Sequence, residues 1–115
     1  MKEELKLRLW DAILEKVIYT NMEILDNGIV FLAEEHLEDH HPIIMESIGV
    51  RDKFDKEIFE GDIVLCERSG DGYNYQELVV IEDKRRLPRT LYGSSLISRE
   101  ILGNIYENKD LLKDF

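Results

Sequence analysis

The stretch "VRDKFDKEIFEGDIVLCE", residues 50–67, crowds charges and turn-formers together and then breaks into the apolar run "DIVLC". Asp52-Lys53 and Asp55-Lys56 read as a charged chain reversal, which Ile58 and Phe59 anchor to a core. Gly61 supplies a backbone conformation that a side chain resists, and Asp62 can accept hydrogen bonds from nearby amides as the chain enters "IVLC". That grammar belongs to a loop delivering a strand into a small β-domain. It sets the expected fold class: mainly β (α+β), a small barrel-like antiparallel domain.

The rest of the chain reads as strands around that block. "LKLRL" places Leu5, Leu7 and Leu9 on one face and Lys6 and Arg8 on the other, the period of a half-buried strand ending at Trp10 and Asp11. A turn over residues 11–15 leads to a second strand at 16–20, because "KVIYT" is β-branched and aromatic. Asp26-Asn27-Gly28 stands between two apolar runs and predicts a tight hairpin centred on Asn-Gly. Another strand follows Pro42, and "DIVLCERS" and "QELVVIED" flank a hairpin loop at Gly70-Asp71-Gly72-Tyr73. "LISREILGNIYE" reads as a strand bent or bulged at Gly103, and Asn108 as the cap of a short C-terminal helix through "KDLLKDF", with Asp110 near its positive end. No repeat or linker divides the 115 residues, which are expected to form one domain, 1–115.

Composition narrows the function classes. Hydrophobic residues make up 43% of the chain, enough for a core, and no apolar run has the ~20 residues of a membrane-crossing helix. "MKEELKLRLW" interleaves charges with leucines, unlike a signal peptide, so a cytoplasmic protein with no membrane partner is expected. The single cysteine, Cys66, forms no intrachain disulfide and reads as a small buried hydrophobe. A net charge of -10 argues against sequence-independent DNA binding, which depends on neutralising phosphates. The charge is uneven: residues 1–70 carry 8 basic against 17 acidic side chains, residues 71–115 carry 7 against 8.

Three clusters have chemical potential. "EEHLEDHHP", residues 34–42, spaces His36 and His40 four apart beside Glu35 and Asp39, so these histidines are the metal candidates. No HExxH motif is present, and a solvated acidic turn is the preferred reading, with no metal and no cofactor expected. The carboxylates Asp52, Asp55, Glu57, Glu60 and Asp62 crowd a turn that also holds Lys53 and Lys56, which favours a solvated connection over an acid/base site. No GxSxG, phosphate-cradling glycine loop or paired CxxC occurs, and no enzyme is expected. "KRRLPRTLYG" gathers Lys84, Arg85, Arg86 and Arg89 with Tyr92. It reads first as a solvated loop, second as a patch meeting the acidic 34–39 run of another copy, and third as a nucleic-acid contact.

The opening stretch resembles the signature of the YopX family, small proteins of bacteriophages and prophages. "LKLRLWD" with "KVIY" resembles its amino-terminal block, including Trp10 and Asp11. Residues 45–64 carry the strongest block, with Met45, Gly49, Asp52, Lys53, Lys56, Glu57 and Ile58 before Glu60-Gly61-Asp62. "LGNIYENKDLL", with Gly103 and Asn104, resembles the carboxy-terminal block. This chain has Asp55 where family members commonly carry a turn glycine, and Lys109 where they carry a proline. The resemblance implies a phage or prophage origin, a bacterial cytoplasm, a β-rich fold and assembly of identical chains. It brings no assigned reaction and no catalytic residues. The expectation is a non-enzymatic accessory protein, a self-associating module whose partners are copies of itself and a phage or host protein, with nucleic-acid association as the alternative. In one form of that alternative the 84–89 loop touches DNA or RNA; in the other the acidic surface occupies a DNA-binding protein. A metal-dependent enzyme using His36 and His40 is the third.

Overall fold

The computed structural model describes residues 7–20, 22–25, 28–31 and 41–113. It is mainly β, with its strands paired antiparallel. The chain divides into two compact units, Met1–Ser47 and Ile48–Phe115.

In the first unit β1 (Leu7–Asp11) pairs antiparallel with β2 (Lys16–Thr20), with Trp10 opposite Val17, and on its other side with the start of β5 (Ile43–Arg51). The expected alternation of β1 is only half right. Leu7 and Leu9 are buried, but so is Arg8, so both faces of β1 are covered there. A separate hairpin joins β3 (Met22–Leu25) to β4 (Gly28–Phe31). Leu25 pairs with Gly28, so Gly28 opens β4; Asp26 and Asn27 of the expected turn lie outside the described residues.

The second unit holds the rest of β5, then β6 (Glu57–Phe59), β7 (Asp62–Ser69), β8 (Asn74–Val80) and β9 (Leu96–Asn104). Strand β6 neighbours β5, and a three-stranded sheet has the order β8-β7-β9. The β7–β8 register runs without a shift, whereas β7–β9 shifts twice, beside Ile63/Val64 and Glu67/Arg68. The first shift leaves Leu102 unpaired between Ile101 and Gly103, the bulge expected near Gly103; the second leaves Ile97. Both are exposed, so these bulges turn apolar side chains outward while bending the strand. The core is Ile58, Val64, Cys66, Val79, Ile81 and Leu91, with Ile48, Val50, Leu87, Leu96 and Ile101 packed against it. Burial pushes the Cys66 thiol up, against the pull of the Arg68 and Arg99 guanidiniums, which fits a buried packing residue.

The expected C-terminal helix is only a 3-10 turn, Lys109–Leu112. Asn108 precedes it without capping it through its side chain; its Oδ1 accepts the Asn104 N–H at 3.0 Å instead. No helix among the described residues is long and apolar enough to cross a membrane.

Candidate functional site

The signature residues are consumed by backbone. Asp52 follows β5 and is 7% exposed. Its Oδ1 accepts the N–H groups of Phe54 and Lys56, both at 2.9 Å, and its Oδ2 accepts the Ile101 N–H at 3.1 Å. Lys53 N–H donates to the Arg99 carbonyl at 2.8 Å. The turn therefore occupies the outer edge of β9, which a strand in the sheet would otherwise leave open. The tip of the reversal bears Phe54, exposed, with Lys53 Nζ 5.2 Å from its ring centroid.

Asp62 plays the same part at the start of β7. Its buried Oδ2 accepts the Phe59 N–H at 2.8 Å, closing the β6–β7 turn around Gly61, whose φ is +88°. Gly61 N–H donates to Ile81, and the Gly61 carbonyl accepts Ile105 N–H. Asp11 closes the β1–β2 turn by accepting the N–H groups of Ile13 and Leu14. Asn104 ends β9: its Oδ1 accepts Tyr106 and Glu107 N–H while its Nδ2 donates to Glu107. Trp10 is half-buried in β1, and Gly49, at φ +77°, lies in β5. Asp62 thus accepts an amide as its sequence context predicts, and Asp11 and Asp52 do the same, in strong charge-assisted bonds.

The basic cluster is a built platform. Glu60 Oε2 accepts the Lys84 N–H and Asp83 Oδ1 the Arg85 N–H, both at 2.9 Å, while Arg86 N–H donates to the Asp83 carbonyl. Leu87 packs on the core, and a 3-10 turn at Arg89–Leu91 buries Leu91 completely. Lys84, Arg85, Arg86, Arg89 and Tyr92 are left exposed. Arg85, Arg86 and Arg89 make no side-chain ion pair among the described residues.

Two arginines that no motif in the sequence marks fix this platform. Arg68 on β7 donates from Nη1 to the Thr90 and Tyr92 carbonyls at 2.7 and 2.9 Å, and from Nη2 to Ser95 Oγ at 2.7 Å. Arg99 on β9 donates to the Leu91 and Arg51 carbonyls. Three successive carbonyls, 90–92, are thereby tied to two guanidiniums. An Arg in an alternating strand looks like solvent-facing charge, and nothing in its local sequence shows a carbonyl cluster brought over it by a loop more than twenty residues away.

The metal candidates His36 and His40 lie outside the described residues. Among the described residues no group of three His, Cys, Asp or Glu side chains is placed to hold a metal ion.

The model of a family described as "YopX protein" matches residues 6–113, nearly the whole chain. No curated protein matches. Among solved structures, protein EF1440 from Enterococcus faecalis is similar, with a TM-score of 0.51 and 20% identity over 96% of this chain and 99% of that one. At that identity the likeness shows the fold alone.

Proposed function

The chain belongs to the YopX family, and on that premise we propose that it is a phage- or prophage-encoded accessory protein of the bacterial cytoplasm that acts by binding protein, copies of itself included, and not by catalysis. The observation that carries this reading is the division of labour among its charges. Asp11, Asp52 and Asp62 each hold backbone amides, whereas Arg85, Arg86, Arg89 and Tyr92 stand exposed on a fixed loop. A presented basic surface on a chain of net charge -10 suits an acidic partner, and the chain's own acidic residues are one. Light scattering at low and high salt tests it. A closed oligomer that loosens with salt is expected; a monomer at both salts overturns self-association.

The exposure of Tyr92 beside Arg89 favours a second reading, in which the same platform stacks and neutralises a nucleic acid. Gel shifts with the wild type and with Arg85→Glu/Arg86→Glu separate the two, since only the second reading requires a shift that this double variant abolishes. The acidic surface occupying a DNA-binding protein is its indirect form. Displacement of DNA from such a protein, with no gel shift by the chain alone, is its mark.

A further inference from the structure

We propose that β8 is the self-association edge, joining a second copy of this chain through antiparallel β8–β8 pairing about a two-fold axis. The inference rests on the self-association reading above and adds the surface and its geometry. The two outer edges of the β8-β7-β9 sheet are treated differently. Asp52 and Lys53 cover that of β9. The outer edge of β8 has no strand neighbour and no backbone bond to a loop among the described residues.

The edge is regular and unguarded. Residues 74–77 are all exposed, and the β7–β8 register holds from Ser69–Asn74 to Ile63–Val80 without a bulge. "NYQELVV" contains neither Lys nor Pro, the residues that usually blunt a free edge. The direction of its free groups follows from the alternation of an antiparallel ladder. Gly70 N–H bonds to Tyr73, and Ile81 N–H bonds to Asp62, so the pairs between them alternate from these fixed ends. Tyr75, Glu77 and Val79 then face β7, and Asn74, Gln76, Leu78 and Val80 offer their N–H and C=O groups outward.

Charge selects a second copy as the occupant and antiparallel as the direction. Asp71 stands exposed in the hairpin loop that leads into β8, with Glu77 at the strand's midpoint. At its other end Lys84, Arg85 and Arg86 outnumber Glu82 and Asp83, and Asp83 is already engaged by the amides of Arg85 and Arg86. Antiparallel pairing lays Asp71 of each copy toward the basic corner of the other; parallel pairing sets Asp71 against Asp71 and corner against corner. The product is a continuous sheet with three strands from each copy.

The test is the solution mass of three proteins. Gln76→Pro removes an outward N–H without touching the β7 ladder, and is expected to weaken association by roughly tenfold or more. Gln76→Ala should keep the wild-type mass. Asn74→Pro repeats the experiment at the other exposed outward position if Gln76→Pro does not fold. Asp71→Lys and Arg85→Glu/Arg86→Glu should each associate less well alone and recover when the two are mixed or combined. An oligomer that is indifferent to both prolines, or charge variants that do not rescue each other, overturns β8 pairing while leaving self-association standing. A wild type that is monomeric at every salt overturns both.

Discussion

The Asp52 carboxylate accepts the Ile101 N–H at 3.1 Å, joining positions 49 apart in sequence. With the Lys53–Arg99 bond beside it, this closes β9 against the turn that follows β5. The stretch that looks like a charged surface loop is therefore a clasp, and its acid is the part that cannot be exchanged. Lys53 is exposed and reaches Glu100 only at 3.5 Å, an ion pair worth little in water.

Removing that acid should cost more than any surface charge. Asp52→Ala leaves three amides without their acceptor, and a decrease of about 2–3 kcal/mol in unfolding free energy is expected. Asp52→Asn keeps one acceptor oxygen and should lose less. Urea midpoints of the three proteins check the order; equal midpoints for wild type and Asp52→Ala would remove the clasp.

The same group sets an acid limit. Burial, the largest single influence on Asp52, pushes its pKa up, but the amides of Lys56, Ile101 and Phe54 and the Lys56 charge together carry it below the ordinary 3.8. A carboxyl depressed in the folded state adds stability that is present above its unfolded value and is lost as pH falls through the folded one. The urea-midpoint gap between wild type and Asp52→Asn should therefore be constant from neutral pH down to about 3.8 and narrow below it. A gap that persists unchanged into stronger acid would contradict the assignment.

How much of this was legible follows the reach of each interaction. The 70–73 hairpin and the bulge near Gly103 are written within a few residues of where they act, and the structure has them, whereas the alternation expected of β1 fails at the buried Arg8. The helix expected through "KDLLKDF" is reduced to a 3-10 turn, since a seven-residue segment has too few internal bonds to hold a helix without packing. The Asp52–Ile101 bond and the Arg68–Thr90 bond span 49 and 22 positions, and no local pattern encodes their partners. The basic cluster was visible as composition; its fixing by Glu60, Asp83 and Arg68 was not.

Two left-handed positions predict opposite signs. Gly61 has φ +88°, so Gly61→Val should lower stability by more than ~1 kcal/mol. Asp55 has φ +64°, a conformation that an aspartate tolerates and a glycine adopts freely. Asp55→Gly forfeits an exposed 3.5 Å ion pair with Arg51 and should still raise the melting temperature slightly. A fall for Asp55→Gly as large as that for Gly61→Val would refute the backbone explanation.

Gly103 is constrained by space. A Cβ there would overlap the Asn108 side chain, whose Oδ1 holds the Asn104 N–H. Gly103→Ala should destabilise by about 1–2 kcal/mol, and Asn108→Ala, which frees the space but loses the bond, should make a further Gly103→Ala change nearly neutral. A double-mutant cycle reads this coupling directly. Additive losses would mean that the two residues do not meet.

Arg68 is the last test, because it separates the presence of the basic platform from its shape. Arg68→Met removes three bonds to residues 90–95 while leaving Leu91 to pack in the core. A loss of about 1–2 kcal/mol is expected, together with faster amide hydrogen exchange at Tyr92 and Leu96, whose bonds to Arg89 and Gly93 lie in the tethered loop. Arg68→Lys should recover less than half, since an ammonium lacks the planar fork that reaches Thr90, Tyr92 and Ser95 together. If the platform binds an acidic partner, Arg68→Met weakens that binding with Arg85, Arg86 and Arg89 all still present. Unchanged exchange in Arg68→Met would place the rigidity of the loop in Leu87 and Leu91 instead.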